Sequence, residues 1–380
     1  MIHVDLTHPC YGCGVCVSAC PHNAIQLKMS NDGFWLPDID KNRCTECNIC
    51  EKVCAHLDTH PCFPKEKTQI SGYSIINNDP QIREQSTSGG ASFAIASYLH
   101  DNGYKLVGVK YDTKNNIAKH FVADTLDEFR QSMNSKYIQS FTSDGFDKLK
   151  DGNRYAIFGT PCQIDSLRRW AKLRHKENNF IFIDLFCHGV PSYLLWSSYL
   201  KYHIRSTEKL IKPIFRDKQN GWHTYTLTLK TDRKNISHTL SRNDLFYNFF
   251  LESYILNIPC YKCIYRDANS AADIRMGDLW GDKYHTNNEG ITGILALTDR
   301  GRKIIQHLNQ TCTVTHETIE TVIGGQMHHN LKIPRLRNKL ILKLQNDIPL
   351  NKLYLIYGCR MRIKHLIPNK IKSMVKHLIR

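Results

Sequence analysis

The sequence predicts an α+β or mixed α/β protein, a small cysteine-rich module ahead of an α/β body, and three observations carry that expectation. Two cysteine runs of the same spacing, CYGCGVCVSACP and CTECNICEKVCA, lie in the first sixty residues. Behind them, short apolar runs alternate with helix-length segments, the order from which sheets flanked by helices are built. The alternating stretches YTLTLKTD and SHTLSRN break that order and read as an antiparallel hairpin turning around Lys230–Asn235.

The first element is a pair of metal-binding loops. Cys10, Cys13, Cys16 and Cys20 precede Pro21; Cys44, Cys47, Cys50 and Cys54 repeat the spacing, with Ala55 where a second Pro would stand. The spacing C-x₂-C-x₂-C-x₃-C-P is the run of bacterial two-cluster ferredoxins, in which the fourth cysteine ligates the other cluster. Three thiolates in a tight loop take three corners of a cubane, and the fourth turns away with a short helix. One [4Fe–4S] cluster is therefore assigned to Cys10, Cys13, Cys16 and Cys54, and a second to Cys44, Cys47, Cys50 and Cys20. Zinc also takes paired C-x₂-C ligands, but it gains nothing from a doubled eight-cysteine repeat. Such clusters pass single electrons, so a two-cluster ferredoxin domain over residues 1–62 implies electron transfer.

Residues 58–68, DTHPCFPKEKT, read as a linker. SGYSIIN then reads as a strand, QSTSGGASFAIASYLHDNG as a turn and an apolar helix stopping at Asn102-Gly103, and KLVGVKYD as a strand. RYAIFG is a further strand, GTPC a turn, a helix starts near Gln163, and NFIFIDLFC is a strand ending in Cys187. ITGILAL and DRGRKIIQHL follow as strand and helix. Strand 154–158, helix 163–173 and strand 179–186 form a βαβ unit with parallel strands and a right-handed crossover. Cys162 and Cys187 then follow the same ends of two parallel strands, at the edge where open α/β sheets bind ligands. Cys260 and Cys263, in PCYKC, add two thiols, so a third four-cysteine site is expected, as a [4Fe–4S] cluster or as zinc. Taken alone, Cys162 reads as a buried thiol, and no activating base stands beside it in sequence. Cys62, Cys312 and Cys359 fall in no pattern.

Composition narrows the functional classes. A chain of 380 residues with 41% apolar content can bury a large core and suggests two or three domains. No apolar run reaches the eighteen residues of a membrane span. The start, MIHVDLTHPC, lacks the regions of a secretory signal, so the fifteen cysteines are expected in a reducing, cytoplasmic setting as metal ligands. Of the net charge of +16, residues 331–380 carry 13 Lys/Arg and one acid, or +12, leaving +4 for the rest. A nearly balanced body argues against nucleic-acid binding. In MRIKHLIPNKIKSMVKHLIR, Ile367, Ile371, Met374, Val375, Leu378 and Ile379 share a stripe, with Lys370, Lys372, Lys376 and Arg380 elsewhere. This basic amphipathic helix, broken near Pro368, reads as packed on the body or a partner, or as lying on an anionic membrane surface at the inner face.

STSGGASFAIASYL, NSKYIQS, YAIFGTPCQIDSL, FIDLFCHGVPS, FRDKQNGW, PCYKCIYRDANSAADIRMGDLWG and GITGILALTDRGRKII stand in the chain in this order. Together they resemble the beta-subunit family of coenzyme F-420 hydrogenase/dehydrogenase, and the resemblance covers roughly residues 1–325, the two-cluster ferredoxin domain included. It implies a flavoprotein with iron–sulfur clusters that moves electrons between one-electron carriers and a two-electron acceptor. It implies a flavin-binding N-terminal family region over 68–150 and a C-terminal α/β region with the third cluster over 151–325; the basic tail, residues 326–380, follows from composition. The family includes deazaflavin-reducing subunits, ferredoxin-dependent reductases of chlorophyll metabolism, and bacterial members near polysaccharide-synthesis genes.

No G-x-G-x-x-G fingerprint follows a strand. Ser86, Thr87, Ser88, Gly89 and Gly90 stand at a helix start, where N–H groups and hydroxyls can hold a pyrophosphate; N-capping by Ser88 accounts for the same residues. The resemblance favours the flavin, as FAD, and adds Asn134, Ser135, Lys136 and Tyr137, with Lys136 stabilising the reduced, anionic ring. His188 is a candidate proton donor, or a hydrogen-bond donor to cluster sulfur. Asp217, Trp222, Asp273 and Asp278 are candidates for holding the turns that carry Cys260 and Cys263. The expected function is that of an iron–sulfur flavoprotein oxidoreductase taking electrons from a ferredoxin-type carrier to a small organic substrate, in polysaccharide biosynthesis by resemblance. The alternatives are a coenzyme F-420-reducing subunit of a hydrogenase/dehydrogenase complex, and an electron carrier without its own substrate. Nucleic acid is not an expected partner; an oligomer is compatible with all three readings.

Overall fold

The computed structural model describes residues 9–58, 60–62, 70–239 and 244–357. The amphipathic stripe of residues 367–379, Cys359, most of the linker and the end of SHTLSRN lie outside them. In the N-terminal lobe, β1 (Ile25–Met29) and β2 (Trp35–Ile39) form an antiparallel hairpin, Ile25 opposite Ile39, which the cysteine spacing did not foretell. The short helices Val15–Ala19 and Ile49–Lys52 each begin one residue before the third cysteine of a run. The fourth cysteine therefore leaves at the far end of its helix, as the crossing of ligands requires.

The body strands are β3 (Ser71–Asn77), β4 (Lys105–Asp112), β5 (Ile117–Ala123), β6 (Ser140–Phe141), β7 (Tyr155–Gly159), β8 (Phe180–Leu185), β9 (Leu210–Asp217), β10 (Thr226–Thr231), β11 (Asn235–Thr239), β12 (Ile274–Asp278), β13 (Thr292–Ala296) and β14 (Cys312–Glu317). Nine of them make one mixed sheet in the order β14-β3-β13-β12-β8-β7-β4-β5-β6, and β9, β10 and β11 make a separate antiparallel sheet. The expected βαβ unit is present: β7 and β8 are parallel neighbours, Ala156 opposite Ile181, joined by the helix Pro161–Leu173. The expected hairpin is β10 with β11, Lys230 opposite Asn235.

The sheet is apolar on both faces, as a covered sheet must be. Along β8, Ile181 and Ile183 enter one core with the helices Ala91–Asp101 and Asp299–His307, while Phe180 and Phe182 enter another with Ile164, Leu167 and Trp170 of the helix Pro161–Leu173. That is the two-residue alternation of a strand, and each such side chain contributes about 1.5–3 kcal/mol on burial. A third core joins β9 and β10 to the helices Tyr193–His203 and Leu245–Leu251.

Three expectations change. The helix expected near Gln163 starts at Pro161, because Pro suits the first helical position and Gln163 Oε1 takes the Thr160 N–H at 2.8 Å; Cys162 is thus in its first turn. β8 ends at Leu185, two residues before Cys187. Residues 337–357, read as part of a basic tail, belong to the body: Leu340, Ile341 and Leu344 of the helix Arg337–Gln345, with Leu350, Leu353 and Tyr354, are buried in the third core. Their apolar spacing outweighs the basic composition. Among the described residues no helix is long and apolar enough to cross a membrane.

Candidate metal centres and the adjoining cleft

The N-terminal loops aim backbone N–H groups at sulfur. Gly12 N donates to Cys10 Sγ at 3.2 Å and Ala24 N to Cys20 Sγ at 3.4 Å; Val15 N–H reaches Cys13, and those of His56 and Leu57 reach Cys54. Donors of this kind stabilise a thiolate. The thiols of Cys10, Cys13, Cys16 and Cys54 lie close enough for their charges to act on one another. Cys20, Cys44, Cys47 and Cys50 line a single apolar cavity with Ala24, Ile25 and Ile39. The structure thus places Cys10, Cys13, Cys16 and Cys54 near one another and Cys20, Cys44, Cys47 and Cys50 around one cavity, with Cys50 also near Cys16 and Cys54. Cys47 is exposed, whereas Cys16 and Cys20 are buried.

The other four cysteines also converge. Cys162 lies 3.3 Å from Thr160 Oγ1, while N–H groups of Gly189, Val190 and Tyr265 reach Cys187, Cys260 and Cys263. Arg266 clips the loops together, donating to the carbonyls of Cys187 (3.1 Å) and Cys260 (2.8 Å). Below it, Arg275 grips Asp184 at 2.8 and 2.7 Å with both side chains fully buried, and reaches the carbonyls of Tyr265 and Asp267. Sequence reading missed these two arginines and gave the task to acids instead. Asp273 holds Arg168 (3.2 Å) and Phe182 N (2.9 Å), and Asp217 closes a turn at Gln219 N; neither caps the Cys260–Cys263 turns. Trp222 stacks on Trp280 at 4.8 Å and Asp278 pairs with Arg216, so both also serve other contacts.

Burial pushes Cys13 and Cys187 up to about 11 and Cys260 up to about 12, with neighbouring thiols adding to the rise. Cys162 is raised well above the ordinary thiol value, by burial and then by Cys13. Thiols so placed ionise at neutral pH only when a cation takes them, and metal ligation does so. Among the described residues no three His, Cys, Asp or Glu side chains converge as ligands of a single ion. The sulfur-only donor sets, low dielectric and N–H···S contacts suit [4Fe–4S] clusters.

One helix joins the first and third sets. Ser166, one turn beyond Cys162, lies 3.4 Å from Cys13 Sγ and accepts from Ala55 N at 3.2 Å. Asp165, buried on the same helix, accepts from Tyr265 Oη (2.7 Å), Arg169 Nε (3.0 Å) and Cys62 N (3.0 Å). Cys62 is thereby part of the dock, and Cys312 is a buried thiol of β14.

Beside the third set, the two expected flavin motifs meet. Thr87 Oγ1 accepts from Ser135 N at 2.7 Å and lies 2.9 Å from Ser135 Oγ. Asn134 exchanges hydrogen bonds with the backbone of Arg216, whose guanidinium reaches Asp278 (2.7 Å) and Tyr137 Oη (3.3 Å) and lies over the Tyr225 ring. Arg216, inside the motif FRDKQNGW, was overlooked; its side chain is 2% exposed and also donates to Trp222 O at 3.1 Å. Several expected roles are filled differently. Ser86 and Ser88 spend their hydroxyls on Ile82 O and Ile291 O, Gly89 N donates to Thr292 Oγ1, and Gly90 (φ 82°), not Ser88, is the N-cap of the helix Ala91–Asp101. Lys136 donates to the carbonyls of Gln131, Ser132 and Met133 at 2.8–3.1 Å, so its ammonium holds its own loop and is not free for a ring. Lys218 likewise spends its ammonium on three carbonyls, those of Arg83, Ser88 and Glu289. His188 Nε2 lies 2.9 Å from Ser253 Oγ and its ring meets Phe250, which packs on Tyr137. Burial, then Arg266, pushes His188 down to about 4, so it is neutral at pH 7 and a poor proton source.

Residues 9–56 match the 4Fe-4S dicluster domain, and residues 152–322 match the C terminus of the coenzyme F420 hydrogenase/dehydrogenase beta subunit. No curated protein matches the chain. Among solved structures, a chain of the F420-reducing [NiFe] hydrogenase complex from Methanosarcina barkeri aligns over 77% of this chain and 91% of its own, at 17% identity and a TM-score of 0.49. Residues 9–56 are thus similar to a 4Fe-4S dicluster domain and residues 152–322 to the C terminus of that beta subunit, so the chain is an iron–sulfur electron-transfer protein related to the coenzyme F420 hydrogenase/dehydrogenase beta subunit.

Proposed function

We propose that this chain is an iron–sulfur flavoprotein oxidoreductase that takes single electrons at its N-terminal lobe and delivers them in pairs to a small organic acceptor. Its twelve patterned cysteines would hold three [4Fe–4S] clusters and the cleft of Thr87, Ser135, Tyr137 and Arg216 a flavin, FAD by resemblance; together these groups supply the conversion between one- and two-electron transfer. The observation that carries the reading is the helix Pro161–Leu173, which supports Cys13 through Ser166 and carries Cys162 one turn earlier. The first and third cysteine sets are thereby neighbours, held without a flexible linker.

The chain's own residues divide the work. Cys47 lies at an exposed edge, which suits contact with a ferredoxin-type carrier. Arg216, paired with Asp278, offers a fixed positive charge where a reduced ring or a phosphate would sit. His188, Phe250 and Tyr137 form a packed aromatic row between the third set and the cleft and keep water out. A polysaccharide-synthesis setting follows from resemblance alone. The family match favours a second reading, reduction of coenzyme F420 itself; turnover of that deazaflavin, absent with other acceptors, would select it.

The test uses anaerobically purified protein mixed with a reduced ferredoxin. In the wild type the flavin band bleaches together with the iron–sulfur absorbance. In Cys162→Ala the iron–sulfur absorbance of the N-terminal lobe bleaches while the flavin stays oxidised. Flavin reduction at the wild-type rate in Cys162→Ala contradicts the proposed route.

A further inference from the structure

Three arginines lie beside the first and third cysteine sets, and they differ in how their charge is met. Arg169 acts on Cys54 of the first set and pairs with Asp165 at 3.0 Å and Asp58 at 2.9 Å. Arg275 acts on Cys187 and Cys263 of the third set, and Asp184 meets its charge at 2.7 Å. Among the described residues no carboxylate pairs with Arg266. Its donors go instead to the carbonyls of Cys187 (3.1 Å) and Cys260 (2.8 Å) and to Met327 Sδ (3.4 Å). The residue is 8% exposed, and its Nε–H is buried without a partner. The carboxylate of the adjacent Asp267 is engaged by His328.

A guanidinium is costly to bury without a counter-charge. Cys187, Cys260 and Cys263 all feel the charge of Arg266. His188 feels it too but is neutral at pH 7 and offers no counter-charge. Metal ligation makes thiolates of thiols, so a loaded third set supplies the missing negative charge. Reduction adds one more negative charge, and net charge is among the settings of a cluster's potential. A fixed cation that no carboxylate neutralises favours the reduced state and raises that potential. The first set, whose nearby cation is already paired, lacks this bias. The two sets meet around Tyr11: its carbonyl and that of Cys10 accept from Asn257 Nδ2 on the loop leading to Cys260, and Cys162 and Cys263 pack against the cluster its ring forms with Ala55 and Tyr265.

We propose that Arg266, besides clipping the loops, is a positioning residue for charge: it is the counter-charge of the third cysteine set and holds the potential of the third cluster up, so that an electron arriving from the first cluster rests there. This rests on the three-cluster reading above. One electron leaves the first cluster and one enters the third; no bond forms or breaks, and Arg266 keeps its proton.

The experiment is an EPR-monitored redox titration of the full chain, purified without oxygen, with iron counted in the same samples and the third cluster identified as the signal lost in Cys162→Ala. Arg266→Lys and Arg266→Gln both give up the two-pronged clip, but only the first keeps the charge. The third-cluster potential falls in Arg266→Gln, moving the electron up to about tenfold toward the first cluster, or about 59 mV for one electron, and stays near the wild-type value in Arg266→Lys. Equal potentials in the two chains, with the third cluster present, overturn the proposal. Should Arg266→Gln lose the third cluster, Met327→Glu against Met327→Gln decides. The first sets a carboxylate against the guanidinium with both carbonyl contacts left in place, and no fall in its potential below that of Met327→Gln overturns the proposal. A wild type with about eight irons, the content of two [4Fe–4S] clusters, contradicts the three-cluster reading itself and removes this role of Arg266 with it.

Discussion

At the scale of single residues, buried charge organises both the metal loops and the cleft. Arg266 ties Cys187 to Cys260 through their carbonyls. Arg266→Met leaves both without that donor, at about 1–3 kcal/mol for each buried group left unpaired. The expected result is loss of iron from the third set with the two N-terminal clusters retained, read as iron and sulfide per chain beside the wild type. Asp244 gives a pH dependence. It caps the helix Leu245–Leu251 at Tyr247 N (2.8 Å), takes the Tyr199 hydroxyl at 2.7 Å, and is raised to about 6 by burial. Its folded value lies above the unfolded value of about 3.9, so the native state binds more protons between the two. Stability from this group is therefore fully present below about pH 4 and is lost as pH rises through 6, by up to about 3 kcal/mol. Asp244→Asn keeps a capping oxygen and removes the titration, so its unfolding free energy varies less than that of the wild type between pH 4 and 6 in denaturant titrations.

At the scale of elements, the N-terminal lobe is docked through close backbone approaches. Gly12 has φ 70°, and a Cβ there would stand 2.2 Å from Gln139 Nε2 and 2.3 Å from Trp35 O. Gln139 is the latch: its amide accepts from Trp35 N (2.8 Å) and donates to Trp35 O (2.9 Å) and Gly12 O (3.2 Å). Gly12→Ala adds about 1–3 kcal/mol of backbone strain before any clash is relieved. Faster amide exchange at Trp35 is the expected outcome; unchanged exchange contradicts the latch. The cysteine runs, the βαβ unit around Cys162 and the β10–β11 hairpin were legible because spacing and alternation are local signals. β5 and β12, the burial of residues 337–357 and the latch at Gln139 were not, since they depend on which surfaces meet. Where the quoted motifs meet, their residues could be read but not their inner division: Lys136 and Arg216 are both cations in quoted stretches, and only the fold shows that one holds the carbonyls of its own loop while the other pairs with Asp278 and Tyr137.

At the scale of the whole molecule, the three cysteine sets run from an exposed edge at Cys47, through the buried Cys16, to loops beside the nine-stranded sheet. The helix Pro161–Leu173 and Tyr11 close the gap between the last two sets. In the proposed reading that continuity serves a converter with its own acceptor; a simple carrier would need only the N-terminal lobe. The most direct test is a count of iron, sulfide and released flavin per chain after purification without oxygen. About twelve irons, as three [4Fe–4S] clusters require, with one flavin, is the predicted result. About eight irons and no flavin would contradict it, leaving a two-cluster carrier and returning Cys162 to a buried structural thiol.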